Sequence, residues 1–117
     1  VHAGIQLTSI SHVEDVASMM ALAAGNRTAL RQHYNACTDR TISLDGIARF
    51  VADALNKRAN IVHYNVKDFD IPKGKGFPFR TVHFFASTDK AKHDLHWKPN
   101  HTFENDLPEL VRLHAHP

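Results

Sequence analysis

Residues 5–26, IQLTSISHVEDVASMMALAAGN, decide the fold class. Ile5 to Ile10 alternate apolar and polar side chains, the period of a short half-buried strand. Ser11 followed by Glu14 has capping-box spacing, and Asp15 adds a second acid to the first turn. Val13, Val16, Ala17, Met20, Ala21 and Ala24 recur at helical spacing until Gly25-Asn26 stops the run. A strand leading directly into an amphipathic helix opens an α/β unit.

The same pattern continues outward. Tyr34, between His33 and Asn35 and ahead of Ala36-Cys37, suits a short strand, and Thr38-Asp39-Arg40 turns the chain. Ser43 can cap a second helix with Leu44, Ile47, Ala48, Val51, Ala54 and Leu55 on one face. Asp45 at its start and Lys57-Arg58 at its end complement the helix dipole, while Gly46 costs it up to about 1 kcal/mol relative to alanine. Ile61 to Tyr64 reads as a further strand. Pro72, Gly74, Gly76 and Pro78 exclude a regular element from the middle of 65–86. Ser87 opens a short helix through Leu95, and Pro99 prevents its continuation. A last helix is expected from about Asp106 to Leu113, with Phe103, Leu107, Leu110 and Val111 on its buried side. The tail, with His114 and His116, is expected to fray.

The chain has 117 residues, 43% of them hydrophobic and 22% charged, which is one domain's length and too apolar for a disordered tail. No apolar run approaches the roughly 20 residues of a membrane helix, so membrane insertion is not expected. The single cysteine, Cys37, excludes an internal disulfide framework and a Cys-rich zinc module; a buried thiol is its default. Net charge is only +2, but ten histidines add positive charge as pH falls toward about 6. The start at Val1, with neither Met nor leader, is read as a cut or processed beginning.

Three motifs in order carry a family resemblance. Ser11-His12-Val13-Glu14-Asp15-Val16-Ala17 resembles a helix start of the extended short-chain dehydrogenases, the NAD-dependent epimerase/dehydratase family. Tyr34-Asn35, Thr41 and the helix from Ser43 are similar to that family's next strand and helix. Asp89-Lys90-Ala91-Lys92, Leu95, Trp97 and Pro99 resemble its closing signature, with His96 where the family has a glycine. Within the family, SLDGIARFVADAL and IVHYNVKDFDIPKGKGFPFRTVHFFAS look like the atypical chloroplast stem-loop RNA-binding branch.

The resemblance implies an α/β chain that is the C-terminal, substrate-side portion of a Rossmann-type fold, with few short strands and about four helices. Residues 1–117 would then be a single partial domain. No Gly-rich dinucleotide turn occurs, and neither Tyr34 nor Tyr64 is followed by lysine four residues on. No cofactor is therefore expected in this chain: an NAD site would lie in a missing N-terminal half. Some members of the branch are implied to cleave RNA with a divalent ion, chemistry that no residue here can be assigned. The implied role is plastid RNA binding near ribosomes or the transcription apparatus, with an oligomer compatible. The alternatives are a non-catalytic docking subunit of a larger plastid or photosynthetic assembly, and the substrate lobe of a nucleotide-sugar epimerase.

The candidate contact surface is the loop with Lys73, Lys75, Phe77, Phe79 and Arg80. Between Pro72 and Ser87 it has three cations and no acid. Cations neutralise phosphates and aromatic faces stack unpaired bases. The alternative is that the phenylalanines are core and the lysines solvated; Phe84 and Phe85 are expected in the core either way. Pro78-Phe79-Arg80 resembles the epimerases' diphosphate-gripping stretch, but Val82-His83 replaces its Gly-Asp, leaving phosphate binding or a structural ion pair for Arg80. His93 and His96, at i and i+3, could share a metal, but no third ligand is evident and none is assigned. His12 faces the nucleotide in the family or makes a structural hydrogen bond. Glu14-Asp15 is read as capping.

Overall fold

The computed structural model describes residues 4–63 and 82–114. It is mixed α/β: strand β1 (Leu7–Ser9), helix α1 (Val13–Ala23), a 3₁₀ turn (Arg27–Ala29), strand β2 (Thr41–Ser43), helix α2 (Leu44–Ala54), helix α3 (Asp89–Leu95) and helix α4 (Phe103–His114). The four helices agree with the reading from sequence. The sheet is smaller and differently made. β1 pairs antiparallel with β2, Thr8 opposite Ile42, and Phe84 joins the other edge of β1 through a parallel bridge to Thr8. A strand at 41–43 was not foreseen, because three residues give no periodicity. Residues 33–37 and 61–63 are not in strands, and Tyr64 lies outside the described residues.

Each helix end has a local cause. His12, not Ser11, caps α1: its Nδ1 accepts from the Glu14 amide, while the Ser11 hydroxyl donates to the Ala36 carbonyl. Ser43 caps α2 as expected, its Oγ accepting from the Gly46 amide at 3.0 Å. A Cβ on Gly46 would meet Ile42 Cγ1 at 2.9 Å, so close approach of the strand explains a glycine in this helix. α2 stops at Ala54, short of Lys57-Arg58, and Asn56 turns left-handed with φ 53°. Ser87 Oγ accepts from the Asp89 amide at the start of α3. α4 begins one turn before the expected Asp106, because Thr102 holds the amides of Asn105 and Asp106 and Pro108 falls inside the helix.

The core of the described residues is one small cluster. Met19 of α1, Ala91 and Leu95 of α3, and Trp97 are buried, with Ala23, Ala29, Tyr34 and Ala36 packed against them. α2 packs instead on α4, where Phe50 meets Phe103 edge-on at 5.7 Å. α1 buries Asp15 and Met19, so its inner face is rotated from the one marked by its apolar spacing; Val13 is 76% and Met20 68% exposed. Phe84 and Phe85, expected in the core, are 56% and 59% exposed. Cys37 is buried as expected, beside the Ala86 carbonyl. Among the described residues, no helix is long and apolar enough to cross a membrane.

Candidate functional site

Lys73, Lys75, Phe77, Phe79 and Arg80, the residues marked as the contact loop, all lie outside the described residues, as does His116. The residues that flank 64–81 are described, and both flanks are fastened to one scaffold. On the entry side, His63 Nε2 lies 2.9 Å from both carboxylate oxygens of Asp45, in the first turn of α2. Gly4, at φ 93°, lets the chain pass here: a Cβ on it would run into the Asp45 carboxylate and His63, and its carbonyl accepts from the Asp45 amide. On the exit side, His83 Nδ1 accepts from the Leu7 amide at 3.0 Å. The Phe84 amide donates to the Leu7 carbonyl, and the Ser9 amide donates to that of Phe84. Ser9 Oγ in turn accepts from the Ala86 amide. Arg49, Asp53, Arg58 and Asn60 line an open cleft of about 560 Å³ that reaches Ile61, just ahead of this entry.

A second constellation gathers around His101. It starts from Asp15, a carboxylate only 3% exposed, which accepts from the amides of Asn100 at 2.9 Å and His101 at 3.1 Å. Trp97 Nε1 donates to the Asp15 carbonyl and to Ser18 Oγ, so residues 97–101 are held against α1 twice. That clamp lays the His101 ring on the His12 ring, centroids 3.7 Å apart and planes 12° from parallel. His101 Nδ1 lies 3.1 Å from Asp106 Oδ2, and its Nε2 lies 3.2 Å from Glu14 Oε2. Loss of hydration works against a charged His101 ring. The hydrogen bond to Asp106 and the nearby charges of Asp106, Asp15 and Glu14 outweigh it and hold the pKa above the ordinary histidine value. His12, His101 and Asp106 border a cleft of about 140 Å³ floored by Ile10, Leu107 and Leu110.

The motifs prominent in the sequence serve as fasteners in the fold. Tyr34 Oη donates to Asp94 Oδ2 at 3.2 Å, and Asn35 Nδ2 donates to the Ser87 carbonyl at 3.1 Å. Burial, then the Asp94 charge and hydrogen bond, raise the Tyr34 pKa. Asp39 binds Lys92 Nζ at 2.7 Å and Thr88 Oγ1 at 2.9 Å; the lysine hydrogen bond chiefly lowers the Asp39 pKa and raises its own. His93 and His96 do not form a ligand pair: His93 Nδ1 pairs with Asp94 at 2.8 Å, and His96 ends α3 at φ 51°. His12 makes the structural hydrogen bond. Glu14 and Asp15 do more than cap, since one reaches His101 and the other grips its backbone. His101 and Asp106 were not singled out from sequence, because 86 positions separate Asp15 from its partner at 101. Only an acid in the first turn of α4 hinted at a role.

No family model and no solved structure matches this chain. A chloroplast stem-loop binding protein of 41 kDa, form b, from Arabidopsis thaliana is 41% identical over 113 residues. The match covers 96% of this chain and 30% of that protein, so the chain spans under a third of its relative's length. Over nearly its whole length, then, the chain is a relative of the chloroplast stem-loop binding proteins.

Proposed function

We propose that the polypeptide carrying this sequence binds stem-loop RNA in the chloroplast, and that this chain supplies a basic-aromatic part of the contact surface. The observation that carries the proposal is the 41% identity, over 96% of the chain, to a chloroplast stem-loop binding protein. The compartment follows from that relative. Lys73, Lys75 and Arg80 would neutralise phosphates, and Phe77 and Phe79 would stack unpaired bases. The described residues on either side of that stretch are pinned, His63 to Asp45 and Phe84 to Leu7. Arg49 and Arg58, with Asp53, line the cleft that reaches Ile61 and would add cations to such a surface. On this reading the chain is a lobe of an atypical short-chain dehydrogenase fold, without redox chemistry of its own.

The test is RNA affinity of the full-length polypeptide as a function of salt. Replacing Lys73, Lys75 and Arg80 by glutamine together should weaken binding and reduce the log K against log salt slope by about 2, at roughly 0.7 per phosphate contact on a single strand. An unchanged slope removes the loop from the interface.

A second reading, a docking piece in a larger assembly, draws on the surface. Among the described residues, Val13, Met20, Leu30 and Val82 are exposed apolar side chains. Salt-insensitive co-purification with a protein assembly after nuclease treatment would favour this reading over RNA binding.

A further inference from the structure

We propose that His12, His101 and Asp106 form a divalent-metal site of the zinc type, with Glu14 orienting His101. The three ligands come from the N-cap of α1, the segment after α3 and the first turn of α4. One ligand atom from each lies within 4.8 Å of the other two. Among the described residues this is the one such group. Zinc takes imidazole nitrogen and carboxylate oxygen at about 2.0–2.2 Å, so the edge of a tetrahedral site is roughly 3.3 Å. His101 Nδ1 and Asp106 Oδ2, at 3.1 Å, already stand at that edge.

The outer contacts suit the same role. If Nδ1 of His101 takes the metal, Nε2 carries the proton and donates to Glu14 Oε2, 3.2 Å away. That is the carboxylate–histidine–metal relay by which outer groups fix the tautomer of a ligand. Charge points the same way. Glu14, Asp15 and Asp106 act on the His101 ring, and Arg40 is directed to Glu104 at 3.3 Å. An excess of carboxylate around softer nitrogen donors favours a divalent cation. Asp15 itself is taken up by the Asn100 and His101 amides and stays outside the ligand set.

His12 is the ligand that moves. The lone pairs of stacked rings lie in parallel planes, so His12 must rotate out of the stack before its nitrogen and that of His101 can point at one ion. Ligation at either of its nitrogens ends the 3.3 Å cap bond from the Glu14 amide, one of the longer hydrogen bonds in the fold. The 140 Å³ cleft beside it leaves room for the fourth, non-protein position.

The experiment is zinc binding by the full-length polypeptide in the absence of RNA, by competition with a chromophoric chelator. One equivalent should bind tightly. His12→Gln, His101→Gln and Asp106→Asn should each weaken it at least tenfold, and Glu14→Gln by about tenfold, as for other outer-sphere partners. His93→Gln combined with His96→Gln should leave it unchanged. Cobalt in place of zinc gives a second readout: intense visible bands of a tetrahedral nitrogen–oxygen site, lost in the His12 variant. If a variant misfolds, the wild-type melting temperature decides, since a ligand that binds only the native state must raise it. No tight equivalent, no shift, or a loss that follows His93 and His96 overturns the site. None of these outcomes bears on RNA affinity, so the two proposals fail separately.

Discussion

At the scale of single residues, Asp15 and His96 show how much a local reading misses. Asp15 looks like a first-turn acid, yet its buried carboxylate satisfies two backbone amides 85 residues away and more. Asp15→Ala leaves both unpaired, at about 1–3 kcal/mol each. A loss of about 2–6 kcal/mol in urea unfolding is expected, followed by the fluorescence of Trp97, the chain's single tryptophan. A loss below about 1 kcal/mol would mean that water replaces the carboxylate without difficulty. His96 stands in the left-handed region at φ 51°, ψ 27°, where its amide bonds to the Ala91 carbonyl. A side chain there is strained, and glycine relieves the strain. His96→Gly should raise stability by about 0.5–1 kcal/mol, read from the same unfolding curve.

Among the elements, the joint between the 38–40 turn and α3 carries a pH signature. Lys92 and Thr88 donate to the Asp39 carboxylate, and the lysine hydrogen bond is the main cause of its lowered pKa. A carboxylate whose folded pKa is depressed adds stability above its unfolded pKa, near 3.9. That stability is lost as pH falls through the lower folded value. Both partners are partly exposed, so the effect is modest and weakened by salt. Asp39→Asn should flatten the acid limb of the stability curve below about pH 4 and change little at pH 7, measured by thermal melts across pH. An acid limb as steep as the parent's would place the proton uptake elsewhere. The strand–helix joint at Ser43 gives a second case. Ser43→Ala removes the cap of α2 and should cost about 1 kcal/mol. It should also loosen the His63–Asp45 clamp, visible as faster amide exchange at Asp45.

For the molecule as a whole, the small core and the outward-facing apolar side chains of the described residues set the expectation. Five apolar residues are buried among those described, while Val13, Met20, Leu30, Phe84 and Phe85 face outward. Such a surface is covered in a stably folded protein, by more chain or by a partner. The 117-residue segment by itself should therefore bind hydrophobic dyes and melt broadly. With that surface covered, by further chain or by a partner, the same residues should show a cooperative transition and little dye binding. A sharp, dye-free transition in the isolated segment would show that its own core suffices.

What the residues determined unaided is the local layer of this protein. Four helices, the Ser43 cap and the punctuation by Gly25 and Pro99 all rest on periodicity, capping and backbone restriction, which act over a few positions. The chemical character of the Lys73–Arg80 loop is likewise a matter of composition. Tertiary structure alone decided which face of α1 turns inward, because Trp97 and Leu95 choose Met19 over Val13 and Met20 through packing that spans the chain. It alone paired β1 with β2, since the alternation at 5–10 marks a strand without naming its partner and the three residues of β2 give no pattern. And it alone set His12, His101 and Asp106 together. Convergence of that kind depends on how α1, α3 and α4 are fastened, through Asp15 and Trp97, and no spacing along the chain encodes it.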